Sequence, residues 1–394
     1  MNQAKKNVAL LSVCQGLLLT NNSVLITINA LAGYALADDK TLATLPITMY
    51  FLGSTLTTLP LSFLMKRLGR RAGFTVGAIC AIVGSVLSAW AIYSYNFWLM
   101  CAGTFVLGGY FAAGQYYRFA AADAAPPDFK SKAISLVLAG GIIGGFLGPE
   151  TSKLTKDLVT GHTYVGPYFT LIGFALLAIV VQRWLDIPPL SEVERKTAGR
   201  PLAVIARQPA FVVAVLCGMV GYGVMNFLMT ATPLAMVACQ HPFSEAAFVI
   251  QWHILGMFAP SFVTGSLIQR FGLLKIMLTG VALNVICVAI ALSGVDVMNF
   301  WLALVLLGVG WNFMYVGATA LLTESHAPAE RAKVQGVNDF AIFLTMVVSS
   351  LSSGALFSAQ GWQTMNMATV PFLGVAAAGL IWLAVRRRRA AQAG

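Results

Sequence analysis

The sequence predicts an all-α, polytopic membrane protein with twelve transmembrane helices arranged as two related bundles of six. Composition is the first reason, since 58% of the 394 residues are hydrophobic and only 10% are charged. A water-facing surface alone normally needs about a quarter of all residues charged. Runs of roughly 20 apolar residues, long enough to cross a hydrocarbon core of about 30 Å, recur along the whole chain. Because only helices satisfy their own backbone hydrogen bonds in lipid without closing a barrel, these runs predict helices.

Twelve such runs define the predicted helices, which we number as segments 1 to 12. Segment 1 follows Lys5 and Lys6 and is too long for the core of a signal peptide, so we expect it to stay uncleaved. The one long polar stretch separates segments 6 and 7. It divides the chain into an N-terminal six-helix bundle over 1–186, a cytoplasmic linker over 187–208 and a C-terminal six-helix bundle with a basic tail over 209–394. The segments span residues 7–34, 42–65, 73–93, 97–122, 132–154, 164–186, 209–235, 244–269, 272–293, 299–322, 333–358 and 364–385.

The two halves repeat the same short patterns, which is a further reason for this fold. Between segments 2 and 3 the chain reads S-x3-K-R-x-G over 62–69, and between segments 8 and 9 it reads G-x3-Q-R-x-G over 265–272. After segment 4 comes A-P-P-D at 125–128, and after segment 10 comes A-P-A-E at 327–330. Two separate matches at nearly the same offset indicate a duplicated unit of six helices.

Positive charge is distributed unevenly between the loops. With the N-terminus inside, 21 of the 25 Lys and Arg residues fall on the inner side and only Lys40, Lys153 and Lys156 on the outer side, while Arg118 lies in the inner part of segment 4. This bias predicts a bacterial inner-membrane protein with both termini in the cytoplasm. The net charge of +11 is therefore interpreted as loop charge, not as a surface for nucleic acid.

The sequence carries no Walker A motif, nucleotide-binding domain or catalytic triad. Its glycine clusters, Gly140-Gly141 and Gly144-Gly145, lack a following Lys-Ser/Thr, and in apolar helices such glycines favour close helix packing. We therefore predict a secondary transporter that needs no cofactor, not an enzyme or an ATP-driven pump.

The basic loop between segments 2 and 3 resembles the signature of the major facilitator superfamily, and the resemblance covers the whole chain. That signature is a Gly, then Asp-Arg, then Gly-Arg-Arg. Here Ser62 replaces the Gly and Lys66 replaces the Asp. The matching residues are Arg67, Gly69, Arg70 and Arg71. The resemblance implies two bundles that rock around a central site near the membrane midplane.

Segments 7 and 8 carry soft ligand atoms at helical spacing. Met225 and Met229 lie one turn apart on segment 7, and His253 and Met257 do the same on segment 8. Thioether and imidazole together form a ligand set suited to Cu(I). His253 is the only histidine deep in the predicted membrane region, where an ionisable residue is a functional candidate by default. The alternative is that the methionines only fill gaps in the packing.

This paired motif resembles that of the CcoA-type copper importers, which supply copper for cytochrome c oxidase of the cbb3 type; related riboflavin carriers are expected to lack it. The resemblance implies an alternating-access copper importer, with copper as substrate and with the lipid bilayer and copper chaperones as partners. We expect it to work as a monomer. The implied metal ligands and candidate accessory thiols are Met225, Met229, His253, Met257, Cys217 and Cys239.

Two other functions stay open. Gly144-x3-Gly148-Pro149 resembles the Gly-Pro motif of drug/proton antiporters, although Thr104 stands where those proteins place an Arg. An organic-solute carrier, of the riboflavin-importer or drug-antiporter kind, is therefore the main alternative. A non-transporting assembly factor or sensor is the third, with no extra domain to support it.

Acidic residues near the inner face predict an inner gate of ion pairs. Asp123 and Glu324 end segments 4 and 10 beside the basic loops, and Asp339 lies early in segment 11. Because the signature Asp is absent, we expect Asp339 to supply the missing partner of the loop. For Arg118 the expected partner is Asp123 or a lipid phosphate. The predicted gate residues are Arg67, Arg70, Arg71, Asp123, Arg270, Glu324 and Asp339; the alternative is that they are solvated charges at helix ends.

Overall fold

The computed structural model of the chain describes residues 3–39, 42–43, 45–187, 197 and 199–393. Within these ranges all regular secondary structure is helical. Most of the predicted linker, at 188–196 and 198, lies outside the described residues, as does Lys40.

Fifteen helices follow one another along the described chain. The first eight correspond to predicted segments 1 to 6 and are α1 Gln3–Leu36, α2 Leu45–Leu68, α3 Arg70–Tyr93, α4 Phe97–Gln115, α5 Tyr117–Asp123, α6 Lys130–Ala139, α7 Gly141–Thr155 and α8 Val165–Gln182. The others are α9 Leu202–Ile205, α10 Pro209–Ala238, α11 Phe243–Phe258, α12 Ser261–Phe271, α13 Leu273–Ser293, α14 Val297–Thr323 and α15 Arg331–Ala393.

These helices account for the twelve predicted segments. The described residues contain ten helices long and apolar enough to cross a membrane, and an eleventh if the pair α11 and α12, bent by 42°, is counted as one span. The last of the ten changes direction at Gly361, where two helices meet and the backbone φ is 75°. Counting the two parts of α15 separately gives twelve segments, in agreement with the predicted fold class.

Both repeated motifs adopt matching local structure. Gly69 and Gly272, at equivalent positions of the two basic loops, have φ of 89° and 92°. This left-handed region costs glycine little and other residues more, so each loop turns sharply between two helices at its glycine. The second motif forms a short 3-10 turn in both places, at Pro127–Phe129 and Pro328–Glu330.

The chain forms two compact units. The first consists of Met1–Pro126, Leu136–Ala198 and Arg331–Phe343. The second consists of Pro127–Ser135, Gly199–Glu330 and Leu344–Gly394. The division at 1–186, 187–208 and 209–394 rests on the repeat and the polar linker, and it remains a prediction.

The glycines of α7 pack against α1 in the first unit. A Cβ atom added to Gly144 would lie 2.5 Å from the backbone nitrogen of Thr20, and one added to Gly148 would overlap with Ser23. Gly140, one turn earlier, faces the backbone of Ser12 in the same way. The packing interpretation of these glycines is thereby confirmed, and the Gly-Pro motif requires no antiporter function to explain it.

We predict that Gly144→Ala destabilises the protein, because the new methyl group meets backbone atoms of α1 that cannot move aside independently. Overpacking of this kind costs about 1–3 kcal/mol. The matched control is Gly173→Ala on α8, where no described atom lies within 4 Å of the added Cβ. Thermal unfolding of both variants in detergent should show a midpoint lowered by several degrees only for Gly144→Ala. Equal midpoints would contradict the packing assignment.

Candidate functional site

A cluster of buried and half-buried charges connects α3, α5 and the start of α15 in the first unit. Asp123 Oδ2 accepts hydrogen bonds from Nε and Nη2 of Arg70 at 3.1 and 2.8 Å, and Arg331 Nη1 lies 3.1 Å from the same oxygen. Arg70 Nη2 also donates to Gln335 Oε1 at 2.5 Å. Because α2 ends at the turn of Gly69, Arg70 is the first residue of α3 and its side chain is buried. One carboxylate therefore holds two guanidinium groups.

A second pair lies deeper in the same unit. Arg118 Nη2 donates to Asp339 Oδ1 at 2.5 Å, and the two side chains are only 1% and 2% exposed. Arg118 also donates to the carbonyl and side-chain oxygens of Gln115, at 2.5 and 3.2 Å. Asn338 Nδ2 donates to Asp339 Oδ1 at 2.8 Å, whereas Asp339 Oδ2 is buried with no hydrogen-bond partner among the described residues. The buried carboxylate is thus satisfied at one oxygen only.

The structure brings together some of the predicted gate residues and separates others. Arg70 and Asp123 form a pair. Asp339, in contrast, binds Arg118 and not the basic loop. The partners that we expected for Asp339 and for Arg118 were therefore both wrong. Arg67, Arg71 and Arg270 are exposed. Glu324 is also exposed and pairs with Arg387 of the basic tail at 2.6 Å.

Two contributors to the charge cluster were missed by sequence reasoning. Arg331 and Gln335 precede Asp339 at intervals of four residues, which places all three on one face of α15. That spacing could have identified them, but Arg331 was counted only as a loop charge and Gln335 carries no charge.

A third pair, in the second unit, was also missed. Glu330, the last residue of the repeated A-P-A-E motif, is buried and accepts from Arg200 at both oxygens, with distances of 2.8 Å to Nε and 2.6 Å to Nη2. The backbone nitrogens of Arg200 and Ala327 donate to the same carboxylate at 2.8 and 2.9 Å. Both carboxylate oxygens are therefore fully used, which makes this pair a fixed connection.

The predicted metal ligands lie in the second unit and are mostly buried. His253 is fully buried, with its Nδ1 2.7 Å from the carbonyl oxygen of Leu304 on α14 and with Nε2 lacking a partner in the described part of the chain. Met225 and Met257 are buried and Met229 is half-buried. The described residues contain no group of three or more His, Cys, Asp or Glu side chains placed to hold a metal ion. Of the candidate thiols, Cys217 is buried and Cys239 is half-buried.

An aromatic cluster in the second unit was not predicted. Trp311 stacks on Tyr315 with ring centroids 5.0 Å apart and meets Tyr222 edge-on at 5.2 Å. Phe258 contacts Trp311 from α11 at 5.8 Å. The indole nitrogen of Trp311 is buried without a hydrogen-bond partner among the described residues. The spacing of Trp311 and Tyr315 by one helical turn was the available signal.

A cavity of about 310 Å³ opens beside α10 and α15 in the second unit. This volume lies at the lower end of the roughly 300–1,000 Å³ of small-molecule pockets. Its lining is apolar apart from hydroxyl groups, and it contains no charged side chain. The lining residues include Leu216, Met219, Phe227, Ser349, Thr369 and Phe372. An uncharged organic molecule fits this chemistry better than an ion does.

Comparison with known proteins places these features in a family. A model of the Major Facilitator Superfamily matches residues 11–250 and 217–394. The riboflavin transporter RfnT of Brucella anthropi is 40% identical over 380 residues, which cover 96% of each chain. The uncharacterized MFS-type transporter YddS of Bacillus subtilis is 27% identical over 359 residues, covering 87% of this chain and 82% of that protein.

Solved structures support the same fold. The crystal structure of the E. coli fucose:proton symporter FucP matches with a TM-score of 0.74 and 17% identity, covering 95% of this chain and 98% of that one. At this identity the similarity concerns the fold alone.

The predicted copper import, metal binding and supply of cytochrome oxidase are wrong, because the relative that is 40% identical along nearly its whole length is a riboflavin transporter. Membership of the copper-importer branch receives no support from these relatives. Helical spacing between Met225 and Met229 reflects a shared helix face, and the backbone carbonyl of Leu304 accounts for one nitrogen of His253.

Enzymatic activity is excluded by the transporter relatives, as the sequence predicted. With a family model matched from residue 11 to the end and this fold, the chain belongs to the Major Facilitator Superfamily.

Proposed function

We propose that this protein imports riboflavin or a closely related flavin by secondary, alternating-access transport. The observation that carries the proposal is the 40% identity to a riboflavin transporter over 96% of both chains. Riboflavin combines a flat, uncharged three-ring system with a polyhydroxyl side chain. Recognition therefore calls for aromatic faces and for hydroxyl or amide groups, not for a dense set of charges.

Two features of the second unit support a flavin as substrate. Aromatic rings prefer to stack offset or edge to face, and the buried rings of Trp311, Tyr315 and Tyr222 pack against one another in both arrangements. The cavity beside α10 and α15 is lined by apolar side chains and hydroxyl groups. We assign the aromatic cluster to binding of the flavin rings.

We further propose that the protein lies in the bacterial inner membrane with both termini in the cytoplasm. The bias of Lys and Arg toward one set of loops supports this orientation. The repeated motifs and the polar stretch at 187–208 support the proposed bundles at 1–186 and 209–394. A reporter domain fused after residue 394 should be active on the cytoplasmic side, and a periplasmic signal would contradict the orientation.

We also propose an inner gate, and the observed ion pairs change which residues belong to it. Arg70, Asp123 and Arg331 hold the start of α15 against α3 and α5. Transport to the cytoplasm would require these pairs to open. The revised gate leaves out the four predicted members whose side chains are exposed, namely Arg67, Arg71, Arg270 and Glu324.

We expect the protein to support uptake of riboflavin in bacteria that cannot synthesise it and lack their own importer. Uptake of labelled riboflavin should exceed that of empty-vector cells at least tenfold at low external concentration, and copper content should stay unchanged. The proposed function would be contradicted if cells with the protein in their membranes took up no more riboflavin than empty-vector cells.

The aromatic assignment predicts that Trp311→Leu raises the KM for riboflavin by roughly two- to twelvefold, because ring stacking contributes about 0.5–1.5 kcal/mol beyond area burial. The matched control is Trp382→Leu on α15, because Trp382 is 48% exposed. Equal KM values in the two variants at equal abundance would remove the cluster from the substrate site.

The gate assignment predicts that Asp123→Asn loosens the start of α15. Removing the acid leaves two guanidinium groups without their carboxylate, and breaking a buried pair costs roughly 3–5 kcal/mol. Ser62 is a suitable reporter position, since its hydroxyl is buried and donates to the Ala332 carbonyl at 2.7 Å. In a background without native cysteines, Ser62→Cys should react several-fold faster with a thiol reagent when combined with Asp123→Asn. The exposed pair of Glu324 provides the control, because Glu324→Gln should not change this rate; equal rates for both variants would contradict the assignment.

A further inference from the structure

We propose that Asp339 is the proton-binding site that couples riboflavin transport to a pH gradient, with Arg118 as the partner that the proton displaces. This inference rests on the proposed function, since it names the ion that drives the same transport cycle. It assigns a second substrate, the proton, to a residue outside the aromatic cluster and the cavity.

The first reason is the depth at which the pair is buried. A carboxylate removed from water is stable only when paired or protonated, because an isolated charge in an apolar region is very costly. Asp339 and Arg118 are 2% and 1% exposed and lie 2.5 Å apart. Asp339 therefore has two stable states, an ion pair with Arg118 and a neutral acid, and a proton converts one into the other.

The second reason is that Arg118 keeps other partners when the acid becomes neutral. Its guanidinium donates to the carbonyl and the side-chain oxygen of Gln115, and it lies 4.3 Å from the ring centroid of Phe119. The cation is thus partly satisfied within its own stretch of chain. Protonation of Asp339 therefore does not leave a bare charge behind, which lowers the cost of separating the pair.

The third reason is the free oxygen of the acid. Asp339 Oδ1 accepts from Arg118 and Asn338, whereas Oδ2 is buried and accepts no hydrogen bond from any described residue. Oδ2 is the atom that would take the proton. Glu330 provides the contrast, because both of its oxygens are occupied by Arg200 and by backbone nitrogens. Of the two fully buried carboxylates in the described part of the chain, Asp339 is the one with an acceptor position to spare.

The surrounding groups leave Arg118 as the main counterion. Besides Arg118, Arg70 and the hydroxyl group of Tyr116 interact electrostatically with Asp339. Arg70 is bound by Asp123, and the Tyr116 hydroxyl donates to the Thr58 carbonyl at 3.0 Å. Neither is available to replace the Arg118 contact without breaking an existing bond.

The location of the pair links proton binding to the gate. Asp339 lies two turns after Arg331 on one face of α15, and the two residues bind α5 at its Arg118 and Asp123. Weakening the pair of Arg118 and Asp339 therefore also loosens the face of α15 that Arg331 attaches to Asp123. One proton would bind from the side where substrate enters and leave on the opposite side when Asp339 pairs with Arg118 again.

The test uses purified full-length protein in liposomes and two assays of labelled riboflavin. Exchange of internal for external riboflavin at equal pH requires no net proton movement, whereas accumulation driven by an acidic exterior does. For one proton per flavin, a difference of one pH unit supports up to about tenfold accumulation, since 1.4 kcal/mol corresponds to a factor of ten. A pH electrode in weakly buffered medium records proton entry with the flavin.

We expect wild-type protein to show exchange, gradient-driven accumulation and alkalinisation of the medium. Asp339→Asn should keep exchange within about threefold while losing accumulation and alkalinisation. Glu330→Gln, the control for loss of a buried paired carboxylate, should keep the pH response.

The outcomes separate the two proposals. Wild-type protein without riboflavin exchange would overturn the proposed function. Exchange without proton entry would overturn proton coupling alone. Accumulation that persists in Asp339→Asn, or exchange that is lost together with accumulation, would overturn the assignment to Asp339. Accumulation that fails instead in His253→Gln, with Asp339→Asn intact, would move the proton site to the buried histidine.

Discussion

The cost of burying charge in an apolar protein governs the region where α3, α5 and the start of α15 meet. Asp123 and Asp339 each require a cation at close range, and Arg70, Arg331 and Arg118 each require an anion. The ends of the helices that carry these residues lie where each of the five charged groups has a partner of opposite charge. A movement of α15 must therefore exchange, protonate or rehydrate at least one of them, which makes these pairs natural control points for transport.

The helical fold could be predicted from sequence because it depends on regional composition. The apolar runs and the duplicated motifs report properties of many residues, and they predicted the twelve segments for which the described helices account. The breaks at Tyr116, at Gly140 and between α11 and α12 were not predicted. They depend on local backbone geometry and on packing against neighbours, which an apolar pattern does not encode.

The site was harder to predict because its partners are distant in sequence. Arg118 and Asp339 are separated by 221 positions, and His253 binds a carbonyl on another helix. The i, i+4 pattern of Met225 and Met229 established a shared helix face and nothing about what that face contacts. A pattern of soft ligands in a methionine-rich apolar chain was therefore a weaker guide to the substrate than similarity over the whole sequence.

Equilibrium binding to the purified protein tests most directly whether this transporter binds a flavin and not copper. Titration of the detergent-solubilised protein into riboflavin should quench the flavin fluorescence saturably, while Cu(I), added with a competing chelator, should remain with the chelator. Unchanged flavin fluorescence together with stoichiometric removal of Cu(I) from the chelator would contradict flavin as the substrate.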